Sequence, residues 1–157
     1  MDDFEAFFED NYGSVWRAVA LTIGDRSRAE DVVQEAFSRA YRRWRTVSVM
    51  ERPVAWVYVV ALNAQRKEWN REQRRVASVE LDEASGDHAG PVVTAIALRE
   101  SLLQLTGRQR AAVVLRYLAD LNTADVAQVM GCAEGTVKAT LHQALRKLRV
   151  DLEDEEA

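Results

Sequence analysis

Three groups of side chains in this sequence have types and spacings that suit chemistry or recognition. Asp31 and Glu35, with Gln34 between them, put two carboxylates one turn apart on a helix. A carboxylate pair suits acid–base work, but no histidine or cysteine cluster accompanies this one. Cys132 is the single cysteine, and the two histidines, His88 and His142, stand far apart. No catalytic residue, metal site or cofactor is therefore expected. The second group is a basic run, Arg66, Lys67, Asn70, Arg71, Arg74 and Arg75, interrupted by Trp69. Cations interleaved with an aromatic ring suit nucleic-acid phosphates and unstacked bases. The third follows Ala127, Gly131 and Val137, which sit at helix-turn-helix offsets, with Leu141 one turn on. In that geometry the second helix enters the major groove and its early exposed side chains reach base edges. Here those are Glu134, Thr136, Lys138, Ala139, His142 and Gln143, and Arg146, Lys147 and Arg149 continue the basic face. Cys132 falls in the turn and is expected as a small packed thiol rather than a redox switch.

The elements that must position these groups are helices. The 157 residues are 48% apolar and 29% charged, with 7 glycines and 2 prolines, a balance that favours helix over sheet. The longest apolar run, Ala55 to Leu62, is too short to cross a membrane, so no membrane insertion is expected. The acidic start, Asp2-Asp3-Phe4-Glu5, argues against a secretory signal, and a cytoplasmic location is expected. The net charge of −4 is unevenly spread. Residues 76–98 and 151–157 hold acidic groups and no basic ones, whereas 99–150 carry twice as many basic as acidic groups. Local rather than total charge governs phosphate contacts, so the negative total does not exclude DNA.

Phe4, Phe8, Val15 and Val19 recur at helical spacing, and Gly24-Asp25 stops that helix. Ser27 to Glu30 reads as a capping box opening a second helix, whose apolar stripe runs from Ala29 through Phe37 to Trp44. A polar stretch, Arg45 to Arg52, precedes Pro53, which suits a first helical turn. The helix from Val54 to Leu62 is apolar nearly all round and turns basic beyond Asn63. Trp44 and Trp56 are expected in the core, while Trp69 fits a core position or a stacking platform equally. Thr106 to Gln109 is a second capping box, Asn122 a third cap, and Gly135-Thr136 opens the last helix. The expected fold is all-α, with two small helical domains over residues 1–75 and 92–150. A flexible acidic linker, 76–91, joins them, and an acidic tail, 151–157, follows.

The run from Leu105 to Arg149 resembles the fourth conserved region of sigma factors, which reads the −35 promoter element. The run from Arg28 to Trp44 resembles the second conserved region, and Arg52 to Arg75 is similar to the promoter-melting segment. Both blocks stand in order with little chain between them, the layout of the extracytoplasmic-function group. The resemblance implies a non-enzymatic subunit whose partners are core RNA polymerase, through its β′ clamp, promoter DNA and an anti-sigma factor. It implies that Asp31, Gln34 and Glu35 grip the polymerase. The same carboxylates also suit the dipole at a helix start. Arg66, Lys67, Asn70, Arg71 and Arg74, with a base pocket over Val47 to Arg52, are implied for the −10 element. Arg116, Glu134, Thr136, Lys138, Ala139, His142, Gln143 and Arg146 are implied for the −35 element.

The sequence departs from its relatives at Ala139-Thr140 and Gln143, where they often carry serine-arginine and arginine. Fewer cations weaken phosphate binding, and glutamine suits adenine. Two rival readings are a stand-alone helix-turn-helix regulator and a degenerate sigma-like interaction module. The first lacks a recognisable ligand pocket or phosphoacceptor in its N-terminal half. The second draws on the missing arginines.

Overall fold

Helix starts, stops and apolar stripes build the chain. The computed structural model describes residues 2–76 and 95–156, and the side chains of 3–71 and 96–148. Helix α1 (Asp2–Ile23) ends at Gly24, whose φ of +79° is the left-handed conformation that glycine adopts without a Cβ penalty. Helix α2 (Arg26–Arg42) follows at once. Its cap is Asp25, whose Oδ1 accepts from the Arg28 amide at 3.1 Å, rather than the expected Ser27 box. The glycine turn delivers an extended aspartate directly before the helix, so the first turn is satisfied before Ser27 is reached.

A single helical turn, α3 (Trp44–Val47), occupies part of the stretch expected to be loop, and it buries Val47. Helix α4 (Pro53–Ala61) starts on Pro53 at its first position. Leu62 interrupts it and α5 (Asn63–Val76) continues the path, which matches the change from apolar to basic sequence. Val15, Val19, Val33, Phe37, Val57, Tyr58 and Leu62 fill the core between α1, α2 and α4. An aromatic cluster closes one end: Phe4 stands edge-on to Tyr41 and Trp44 at 5.1 and 5.3 Å, and Phe7 lies 5.0 Å from Trp44. Trp44 and Trp56 are partly buried, and Trp69 is buried with 2% of its surface exposed. Trp69 is thus a core residue of α5 and no stacking platform.

The C-terminal half comprises α6 (Ala95–Gln104), α7 (Gly107–Val113), α8 (Thr123–Met130) and α9 (Glu134–Glu156). Thr106 and Gln109 form the expected reciprocal capping box, each bond 3.2 Å long. Beyond α7 the chain widens into a π turn, Val114–Leu118, where the Ala119 amide reaches the Val114 carbonyl at 2.9 Å. Asn122 caps α8 through a 2.8 Å bond from the Asp125 amide. Gly131 closes that helix at φ +68°. Most of the expected linker, and Val92 and Val93 beyond it, lie outside the described residues. The backbone of α9 runs on through 151–156, so the tail there is a continuation of the last helix.

No strand occurs among the described residues. The two helical halves share one continuous buried core, from Val15 and Tyr58 to Leu102, Val126 and Met130. Helices α4 and α5 lie against α8, and α1 lies against α7 and the π turn.

Candidate nucleic-acid interface and docking face

On α9 the division between inner and outer residues follows the helical period. Val137, Leu141 and Ala144 are buried against the domain, while Glu134, Lys138, Ala139, His142, Gln143 and Arg146 are exposed. Thr136 is half-buried beside them. Of the eight residues expected at the −35 element, seven share this helix. The eighth, Arg116, sits half-buried on the π turn with its guanidinium 5.5 Å from the Tyr117 ring. Thr140 faces inward, 6% exposed, and its hydroxyl donates to the Thr136 carbonyl at 2.8 Å. Of the two positions where relatives often carry arginine, only 143 therefore lies on the outer face. Lys147 turns away from that face, and its Nζ donates to Gln109 Oε1 at 3.1 Å, tying α9 to the start of α7.

The turn before α9 is built from the residues the spacing singled out. Ala127 is buried where α8 and α9 cross, and the Cys132 amide returns to its carbonyl at 3.0 Å. The Cys132 thiol is half-buried, and burial pushes its pKa up against the opposing pull of Arg108. That favours the neutral thiol, in line with a packing role.

On α5, Lys67 and Arg71 are exposed, and Arg66 and Asn70 are half-buried. Arg66 donates from Nη2 to Asn63 Oδ1 at 2.9 Å, and Arg71 pairs with Glu68 at 3.6 Å. The side chain of Arg74 lies outside the described residues. The candidate pocket, Val47 to Arg52, presents Ser48, Val49 and Glu51 to solvent, with Val49 81% exposed. Its last residue, Arg52, reaches out of the pocket to Asp125 on α8, with Nε 3.2 Å from Oδ2. The sequence placed Asp125 in the third cap, with Asn122, and did not anticipate its pairing with Arg52.

On α2, Asp31, Gln34 and Glu35 are all exposed along one side. Gln34 donates to Glu30 at 3.3 Å. Glu35 accepts from Arg39 Nε at 2.9 Å and from Arg42 at 3.4 Å. The Arg39 hydrogen bond is the main reason its carboxyl lies below the usual carboxylate range. Glu35 thus remains charged but is shared with two arginines, and together with Arg43, Trp56 and Val60 they line an open groove between α2 and α4. Among the described residues no three metal-ligating side chains are grouped, and no helix is long and apolar enough to cross a membrane. The arrangement offers charged and polar faces for macromolecules rather than an enclosed site for a reaction.

Known proteins share this layout. The family model described as sigma-70 region 2 matches residues 7–75, and that described as sigma-70 region 4 matches 95–148. The chain is 31% identical over 156 residues to the ECF RNA polymerase sigma factor SigL of Mycobacterium tuberculosis, covering 95% of this chain and 88% of the relative. It is 32% identical over 156 residues to the RNA polymerase sigma-E factor of Streptomyces coelicolor, covering 96% and 86%. Among solved structures, the sigma factor RpoE of Bartonella quintana, crystallised with the anti-sigma factor NepR, superimposes with a TM-score of 0.73. That match covers 98% of both chains at 21% identity and shows a common fold.

Proposed function

The chain belongs to the extracytoplasmic-function group of RNA polymerase sigma factors, which bind core polymerase and direct initiation to promoters without catalysis, and on that premise we propose how its faces divide the work. The exposed side of α2, through Asp31, Gln34 and Glu35, docks on the polymerase clamp. The outer side of α5 and the open loop before Pro53 take the −10 strand, with Arg66, Lys67, Asn70, Arg71 and Arg74 on phosphates and bases. The outer side of α9, with Arg116 beside it, reads the −35 duplex.

The observation that carries this reading is the clean split of α9. Every inward residue of its first three turns is buried or hydrogen-bonded within the helix, and every outward one is a small or polar side chain. A helix so anchored presents Lys138, His142 and Gln143 with little freedom to reorient, which is what base-edge recognition needs. Gln143 favours adenine, and Lys138 supplies a phosphate contact.

Family matches over both halves set aside the stand-alone regulator, which would share the C-terminal half alone. The anti-sigma complex of the Bartonella protein supports a similar inhibitor here. The cytoplasm, where polymerase works, is the expected place of action. Promoter opening by reconstituted holoenzyme, followed with a fluorescent base analogue in the −10 region, tests the assignment. Arg71→Ala is expected to slow opening while leaving polymerase binding intact. Opening at the wild-type rate would remove α5 from the −10 interface.

A further inference from the structure

Several arginines of this chain already hold an oxygen acceptor. Arg39 and Arg42 share Glu35, Arg52 holds Asp125, Arg71 holds Glu68, and Arg66 and Arg110 donate to Asn63 and Thr22. Arg116 differs. It is half-buried, and among the described residues it has no ion pair and no hydrogen bond. Its guanidinium is met by the ring of Tyr117, at 5.5 Å. Tyr117 in turn is 54% exposed and stands outside the buried core, with no other ring contact and no hydrogen bond among those residues. A large aromatic side chain left half in water therefore has this cation as its one specific partner.

The backbone around the pair is unusual. Within the π turn the Ala119 amide passes over the Leu115 carbonyl and takes that of Val114 at 2.9 Å. The Leu121 amide then returns to the Leu115 carbonyl at 3.0 Å, so the detour leaves neither carbonyl open. Between these bonds Asp120 has a φ of +57°, the left-handed region that a residue with a Cβ enters at a cost. Upstream, Ala111 to Leu115 are buried in succession, and the side chains emerge from Arg116 onward. Wide turns of this kind recur at functional sites, and a backbone outlier is grounds to look for a function beside it.

A phosphate is best met by a cation whose charge is intact and whose position is set beforehand. A carboxylate neighbour would hold Arg116 but neutralise it. The tyrosine ring attracts the cation and leaves its charge in place. We infer that Tyr117 is the positioning residue for Arg116, holding its guanidinium ready for a backbone phosphate of the −35 duplex. The inference rests on the assignment of Arg116 to that side given above, and it adds a residue that had no expected role. Ordering the long side chain in advance reduces what binding must order. The gain is in affinity for any sequence rather than in the choice of base, because phosphates carry no sequence information.

Binding of the full-length protein to a fluorescent random-sequence duplex, measured over a salt series, tests this. Arg116→Ala should weaken binding roughly tenfold and flatten the slope of log K on log salt by about one unit. Tyr117→Ala and Tyr117→Leu should each weaken it roughly two- to fivefold, the range of an exposed cation–ring contact, with the slope retained. Tyr117→Phe, which keeps the ring, should bind like the wild type. In the Arg116→Ala background Tyr117→Ala should cause no further loss, which a separate structural contribution of the tyrosine would not reproduce. Additive losses, or wild-type binding by Tyr117→Ala beside a weakened Arg116→Ala, would overturn the positioning role. So would a Tyr117→Phe variant as weak as Tyr117→Ala, by giving the hydroxyl a contact of its own. Wild-type binding by Arg116→Ala would instead overturn the −35 assignment of Arg116, and the inference with it.

Discussion

On α9 the outward side chains Lys138, His142 and Gln143 hold no partner among the described residues and stand exposed over a buried layer of Val137, Leu141 and Ala144. On α5 and the loop before α4 three of the cations are engaged, Arg66 by Asn63 and the Gly131 turn, Arg71 by Glu68, and Arg52 by Asp125, while Lys67 stands exposed. Both surfaces are proposed for DNA, yet the cations of one are less engaged within the chain than those of the other. A duplex can be met by a rigid helix without delay. Composition alone would not separate the two surfaces, because both carry arginine or lysine with a polar neighbour. What separates them is what each cation already holds.

The largest expected effect breaks the α5 side from beneath. Trp69 is buried, so Trp69→Ala should destabilise the fold by about 3–5 kcal/mol, measured by denaturant unfolding. A loss below about 1 kcal/mol would return Trp69 to the surface and reopen a stacking role. Gly131→Ala should cost about 1–2 kcal/mol from the left-handed backbone alone. The added methyl also displaces the Arg66 side chain, which adds to the loss.

Asn122→Ala removes the cap of α8 and should cost about 1 kcal/mol in the same assay. On the α9 side, Lys138→Ala should leave the melting curve unchanged and weaken duplex binding. It should also flatten the dependence of log K on log salt by about one unit. An unchanged slope would mean that Lys138 meets no phosphate. The smallest effect concerns Glu35. Arg39 holds its carboxyl below the usual range, so its contribution to stability is present above the ordinary value of 4.5 and is lost as pH falls through the lower folded value. An NMR titration of Arg39→Ala should move the Glu35 carboxyl back up towards that ordinary value.

Much of this architecture was legible in the sequence, because helical periods, Pro53 at a first turn, and the Thr106 and Asn122 caps are local signals. The helix-turn-helix was legible for the same reason: Ala127, Gly131 and Val137 answer to a fixed backbone geometry. Ser27 misled because a capping box is a pattern of side chains, whereas the start of α2 was decided by the left-handed turn at Gly24 that presents Asp25. Trp69 was undecidable, since one aromatic in a basic helix does not say which way it faces. The merging of the two halves was not legible at all. Arg52 and Asp125, or Arg110 and Thr22, are far apart in sequence, and no periodicity links them. Thr140 illustrates the limit of comparison by position, since a site where relatives often carry a cation is an inward one here.

The most direct test of the central claim is co-elution of this protein with bacterial core RNA polymerase, alongside Asp31→Arg. Asp31 is exposed on α2, so the variant should keep its cooperative melt. The wild type is expected to elute with polymerase and the folded variant to elute alone, which would fix both the activity and the docking side. Failure of the purified wild type to bind polymerase would contradict the account.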